Sequence, residues 1–303
     1  MLLQHFTGVR DVSALPVNEF QKSNLTTRII SALFMMPIVI VSTYLGHPYF
    51  NLLVGLCAAL IAWEYSRIIS SGRLDYEGKG LIIGLVGAVL VASTDNYSWA
   101  FFLLGLKAIF FLGVVLAKAL INRSKINSPE RGRAIYPIDS LWMVVGGAYM
   151  GGACISLIWI RNEWDNGLLV VMWILVLVWA SDCGAYAVGR LIGGAKLAPK
   201  ISPNKTWAGL VGCVVSACIV GLIVAKNIPL DNIYELIVIS GLVGLVSQVG
   251  DLVVSAFKRH FGVKDASNLI PGHGGVLDRV DALLAAIFAV ALISIVNKVP
   301  LLS

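Results

Sequence analysis

Three acidic residues interrupt stretches that are otherwise apolar: Glu64 in "AWEYSR", Asp182 in "WASDCGAYAVGR" and Asp251 in "SQVGDLVVS". A carboxylate in a membrane span costs about 2.5–3.5 kcal/mol on insertion scales, so each of the three asks for a functional partner. Ser247, Asp251 and Ser255 follow one another at i, i+4 and i+8 and share one helix face, with Gln248 beside them. Serines alone would read as a hydrogen-bonded seam between helices. The aspartate among them points to a metal or a proton.

The densest concentration of charge follows that stretch. "SAFKRHFGVKDASNLIPGHGGVLDRVD" holds the cations Lys258, Arg259, Lys264 and Arg279 and the anions Asp265, Asp278 and Asp281. Gly272, Gly274 and Gly275 surround His273, and glycines let backbone N–H groups come close to a ligand. Carboxylates suit Mg²⁺, which is commonly shared with substrate phosphates. Cations beside acidic metal ligands are the parts of a phosphoryl- or nucleotidyl-transfer site. A second charged stretch, "GRLIGGAKLAPKISPNKTWAG", offers Lys196, Lys200 and Lys205 with the hydroxyls of Ser202 and Thr206. "SPNKT" reads as a helix start near Thr206, and a helix N-terminus beside a lysine attracts phosphate. Ordinary flanking charge plus a cap explains this stretch equally well.

Several chemistries are disfavoured. His273 has no cysteine partners and His260 stands at no ligand spacing, which argues against zinc. There is no GxxxxGK[ST] loop and no GxSxG elbow. Cys57, Cys154, Cys183, Cys213 and Cys218 are dispersed in apolar sequence without CxxC spacing, and read as small buried hydrophobes.

The elements that must position these groups follow from composition. The chain has 303 residues, 58% hydrophobic and 13% charged, against about 25% charged in a soluble domain. Runs near 20 apolar residues recur. The expectation is an all-α polytopic membrane protein of about nine transmembrane helices, near 29–45, 49–66, 80–94, 98–118, 138–160, 167–189, 206–225, 233–254 and 281–299. Of the 23 lysines and arginines, only Arg161, Lys226 and Lys298 fall on one side of this arrangement, and Lys107 falls inside the fourth segment. The asymmetry predicts a cytoplasmic N-terminus and an outer C-terminus. The formal charge of +6 then reflects topology and not nucleic-acid binding. Residues 1–28 lack the apolar core of a cleavable signal and read as a cytoplasmic tail. Residues 29–303 read as one membrane-embedded domain with catalytic loops at 190–206 and 255–280. The loop 122–137 reads as a solvated linker.

The charged segment is similar to the signature of the phosphatidate cytidylyltransferases (CDP-diacylglycerol synthases). That signature runs S-x-hydrophobic-K-R, four residues, K-D, a short gap, then H-G-G-x-x-D-R-x-D. Ser255, Lys258, Arg259, Lys264, Asp265, His273, Gly274, Gly275, Asp278, Arg279 and Asp281 match every fixed position. "SDCGAYAVGR", "LAPKISPNKTWAG", "AWEYSR" and "TRIISALFMMPIVIV" also resemble family segments, so the resemblance covers about residue 25 to the end. Departures are Asn204 where a lysine is expected, Ala208 where a glutamate or glutamine is common, Cys183 for threonine and Ala282 for serine.

The resemblance implies that CTP and phosphatidic acid give CDP-diacylglycerol and pyrophosphate. It implies Mg²⁺ with room for a second cation such as K⁺, a homodimer, and a lipid environment. Carried over by position, Asp251 and Asp278 would be metal ligands; Asp182 would join them in catalysis as outer-shell support for the metal or as a contact to the nucleotide, and Lys264 by holding a substrate phosphate or the leaving pyrophosphate. Ser202, Asn204, Lys205, Thr206, Ser255, Lys258, Arg259, Asp265, His273, Gly274, Gly275, Arg279 and Asp281 would contact substrate, with pairing to Arg279 or capping of the ninth segment as the alternative for Asp281. The lipid phosphate is already ionised at neutral pH, so no activated serine is needed. A bacterial inner membrane with a cytoplasm-facing site fits CTP as donor. A CTP-dependent polyprenol kinase and a secondary transporter are the alternatives.

Overall fold

The computed structural model describes residues 25–124, 137–228, 232–270, 272, 274–297 and 301. Nine α-helices are present among them: α1 (Leu25–Leu45), α2 (Tyr49–Ile69), α3 (Tyr76–Ala92), α4 (Tyr97–Ser124), α5 (Pro137–Glu163), α6 (Gly167–Ile192), α7 (Trp207–Asn227), α8 (Ile233–His260) and α9 (Leu277–Asn297). Each coincides with one of the nine apolar segments expected from sequence. Seven of these helices, α2 and α4 through α9, contain a stretch long and apolar enough to cross a membrane. α3 has 17 residues, about 25 Å at 1.5 Å per residue, which is short of a bilayer core of about 30 Å. The architecture is that of a mostly helical integral membrane protein.

A two-stranded antiparallel hairpin, β1 (Lys196–Ala198) and β2 (Ser202–Thr206), departs from the all-helical expectation. It occupies the expected loop between the sixth and seventh segments. Two-stranded pairing leaves both strands as edges, which is where a strand proline such as Pro203 is tolerated. The hairpin runs directly into α7. Thr206 is buried, and its hydroxyl oxygen accepts a hydrogen bond from Gly209 N at 3.0 Å, capping the helix as the sequence predicted.

Packing is closest where small residues face one another. A Cβ on Gly212 of α7 would lie 2.7 Å from Gly184 O of α6, so the two backbones approach directly. α8 packs on both α7 and α9, and a Cβ on Gly250 would lie 2.3 Å from the Ala285 Cβ. The ends of α2, α6 and α8 and the start of α9 thereby meet at one end of the bundle, with the hairpin beside them. On the helix faces turned away from the core, large apolar side chains such as Phe110, Ile219 and Val296 are exposed, as expected of a surface facing lipid.

Candidate active site

α8 carries Gln248, Asp251 and Ser255, with Lys258 one turn further on. The Ser255 hydroxyl donates to Asp251 Oδ1 at 3.1 Å, the i, i+4 contact its spacing predicted. Ser247 stands outside this arrangement: it is buried and donates to its own helix at Gly244 O, 2.7 Å away.

Asp251 is joined to the hairpin. Lys205 Nζ on β2 lies 2.6 Å from Asp251 Oδ2 and donates to Gln248 Oε1 at 3.0 Å. Gln248 Nε2 in turn donates to Asp182 Oδ1 on α6 at 3.0 Å. A continuous polar chain, Asp182–Gln248–Lys205–Asp251–Ser255, therefore ties α6, β2 and α8 together. Gln248 was not among the residues expected to act. A glutamine beside an aspartate in an apolar span was the available signal, because its amide can accept from a cation and donate to a carboxylate at once.

A second centre lies at the start of α9. Lys258 Nζ donates to Asp278 Oδ1 at 2.6 Å, and the two side chains are 9% and 6% exposed. Asp278 Oδ2 accepts from Ala266 N at 2.8 Å and Gly275 N at 2.9 Å, folding the charged loop around one carboxylate. Ile270 N donates to Gly274 O at 2.8 Å, and Gly274 has φ of +80°, a conformation that glycine takes without strain.

Arg259 leaves α8 towards the hairpin, its Nε donating to Ile201 O at 3.2 Å and one terminal nitrogen to Val263 O at 3.1 Å. Ser202 is half-buried and Asn204 exposed on β2; Lys264, Asp265 and Arg279 are exposed around Asp278. Asp281 is buried, and its Oδ1 accepts from Ala282 N at 2.8 Å. His273 lies outside the described residues.

Glu64 reaches the same end of the bundle but takes a different part. Its carboxylate is fully buried and accepts from Ser267 Oγ, Val276 N and Leu277 N at 2.6, 2.9 and 2.7 Å. Ser267 and these two backbone amides were invisible to sequence reasoning, since no residue pattern announces a backbone donor.

The donor chemistry suits a hard cation. The carboxylates of Asp251 and Asp278 and the Ser255 hydroxyl are oxygen ligands, and Mg²⁺ needs only one or two protein carboxylates when phosphates and water complete its shell. Among the described residues no group of three or more His, Cys, Asp or Glu side chains could hold a metal by itself. Each of the two aspartates is balanced by one ammonium, Lys205 or Lys258.

A family profile described as "Cytidylyltransferase family" matches residues 26–296. A phosphatidate cytidylyltransferase of Brucella suis is 34% identical over 267 residues, 87% of this chain and 91% of its own length. Those of Pseudomonas aeruginosa and Staphylococcus epidermidis are 35% and 31% identical over the same 87% of this chain, and over 94% and 95% of their own lengths.

Proposed function

The chain belongs to the cytidylyltransferase family, and on that premise we propose that it transfers a cytidylyl group from CTP to phosphatidic acid. An oxygen of the lipid phosphate attacks the α-phosphorus of CTP. The bond from that phosphorus to the β-phosphate oxygen breaks, and pyrophosphate leaves with the electron pair. CDP-diacylglycerol is the lipid product. The observation that carries this reading is that two lysine-balanced aspartates, Asp251 on the long apolar helix α8 and Asp278 in the first turn of α9, stand at the same end of the bundle.

The obstacle to the reaction is electrostatic, since both reactants are anions. Asp251 and Asp278, with Ser255, would hold Mg²⁺, whose bound form supplies charge neutralisation and polarises phosphate oxygens. A second cation such as K⁺ belongs to the same acidic end. Lys205 and Lys258 sit on those carboxylates and stand within reach of any phosphate that approaches them. Exposed Lys264 and Arg279 flank Asp278 and meet the departing pyrophosphate. Asp182, through Gln248, holds Lys205 from the far side. Arg259 holds the hairpin turn against the end of α8. Thr206, Asn204 and Ser202 set the hairpin that delivers Lys205, and Gly274 and Gly275 let the loop close on Asp278.

The lysine and arginine asymmetry supports a cytoplasm-facing site with the N-terminus inside, and an inner membrane is the reading that fits bacterial relatives. CTP would arrive from water and phosphatidate from the leaflet, and the chain would work as a homodimer. The test is the purified chain with labelled CTP, phosphatidate and Mg²⁺, beside Asp251→Asn and Asp278→Asn. Wild type should release pyrophosphate and form a cytidylyl lipid, and both variants should lose turnover by at least about 10²-fold, the scale of losing one transition-state charge contact. Release of CDP in place of pyrophosphate would instead mark phosphoryl transfer to a lipid alcohol, and wild-type turnover by both variants would remove the aspartates from the mechanism.

A further inference from the structure

Glu64 is the one buried carboxylate at the reacting end whose three partners, among the described residues, all lie on the charged loop or the start of α9. Oε1 accepts from Ser267 Oγ and Val276 N, and Oε2 accepts from Leu277 N. Leu277 is the first residue of α9. The first amides of a helix have no partner within it, and a negative charge there is favoured by the aligned peptide dipoles. A side chain from α2 thus caps a helix more than 200 positions later in the chain. The fit is close: a Cβ on Gly275 would stand 2.6 and 2.7 Å from the two Glu64 oxygens. Glycine is needed there for clearance.

Two carboxylates therefore grip the same loop. Asp278 holds Ala266 N and Gly275 N with Oδ2 while its Oδ1 faces Lys258. Glu64 holds the neighbouring amides, Val276 N and Leu277 N, and the hydroxyl of Ser267. Asp278 is the member of this pair whose lysine partner would be shared with phosphate or cation during turnover. Glu64 is fully buried, and its partners among the described residues, Ser267 Oγ and the Val276 and Leu277 amides, are none of them shared with Asp278, so its grip need not change when Asp278 changes partners.

We propose that Glu64 is a positioning residue, one that fixes Ser267, Val276 and the start of α9 so that Asp278 and Lys258 keep their place at the reacting end. The proposal rests on the cytidylyl-transfer reading for its kinetic part alone. The requirement is for an acceptor at both oxygens. A glutamine in the same place keeps one acceptor oxygen and turns a nitrogen donor towards another donor. An aspartate is one methylene too short to reach both backbone amides.

The test uses the full chain in lipid nanodiscs, comparing wild type with Glu64→Gln and Ser267→Ala. Hydrogen exchange is read over 264–277 and, as an internal reference, over α8. Turnover with CTP and phosphatidate is read against Mg²⁺ concentration. Glu64→Gln should speed exchange in 264–277 by about tenfold or more while α8 stays as in wild type, and should raise the half-saturating Mg²⁺ about 10–100-fold, the range found when the supports of metal ligands are removed. Ser267→Ala should move both in the same direction by less. A Glu64→Gln chain with wild-type exchange and wild-type Mg²⁺ dependence, whatever its thermal midpoint, overturns the proposal. If wild type makes no cytidylyl lipid, the reaction is refuted and the exchange readout alone decides the clamp.

Discussion

Asp251 and Asp278 each face a lysine at 2.6 Å, yet the two pairs are set in different surroundings. Around Asp251 and Lys205 the side chains are 27% and 19% exposed, and among the described residues the other polar contacts are made by side chains: Ser255, Gln248 and, through it, Asp182. Around Asp278 and Lys258 the side chains are 6% and 9% exposed, and the remaining contacts are backbone amides. Side chains can rotate away and exchange partners, whereas backbone amides in a folded loop cannot. On the proposed reading, the first centre is the one that can rearrange around a ligand. The second is built to hold a shape, with Glu64 behind it. The proposed reaction would use both, because cation and phosphates would enter a site whose loop does not collapse before they arrive.

Matched lysine substitutions give the largest expected contrast. Lys258→Met leaves the Asp278 carboxylate buried without its counter-charge, and breaking a buried pair in this way costs about 3–5 kcal/mol. Lys205→Met removes the partner of a half-open pair, where the stability cost is nearer the ~0–1 kcal/mol of exposed pairs. Both should lose turnover, but only Lys258→Met should show a large fall in thermal midpoint in detergent. Equal midpoints for the two variants would mean that the two centres are not different in kind.

Gly275→Ala probes the locked centre with one methyl group. The added Cβ would press on both Glu64 oxygens at 2.6–2.7 Å, and crowding of that sort costs up to about 3 kcal/mol. The combination with Glu64→Ala should cost less than the sum of the two changes, since the truncated side chain makes room. Simple additivity would show that the methyl group meets something else.

How much of this was legible beforehand follows from which partners each residue uses. The helices were, because apolar runs of bilayer length carry their own signal and each expected segment overlaps an observed helix. The Asp251–Ser255 contact was, because i, i+4 spacing is a local rule. Thr206 as a cap was legible for the same reason. The hairpin was hidden by Pro199 and Pro203, which argue against strands everywhere except at edges. The Asp278 and Glu64 grips were hidden because their partners are amides, and every residue but proline has one. Charge in apolar sequence marked Glu64 as important without saying that it would serve a loop and not a ligand.

Gln248→Leu tests the rearrangeable centre. The amide takes Lys205 on one side and gives to Asp182 on the other, and hydrogen bonds to charged groups are worth about 1.5–3 kcal/mol each before relaxation. Lys205 keeps its contact with Asp251, so the net loss of stability should fall near the lower figure. Turnover should fall roughly tenfold, within the range for removing a group that orients a catalytic one. Gln248→Glu should fall further, since a third carboxylate would then stand in that chain and crowd Asp182. Unchanged turnover in both would place the Asp182 end of the chain outside the mechanism.

Thr206→Ala carries the smallest effect and asks whether the hairpin depends on α7. The hydroxyl oxygen caps Gly209 N, and the same residue ends β2 one position after Lys205. Loss of such a cap costs about 1 kcal/mol, so the thermal midpoint should drop slightly and Thr206→Ser should restore it. The kinetic consequence separates the two centres once more. If Lys205 is placed by side-chain contacts with Asp251 and Gln248, a frayed helix start should leave turnover within about twofold of wild type, as expected of a change of this size that acts on stability alone. A loss of turnover near that of Lys205→Met, with Thr206→Ser restoring it, would instead mean that backbone order fixes the first centre as well, and the contrast between a movable and a locked aspartate would fail.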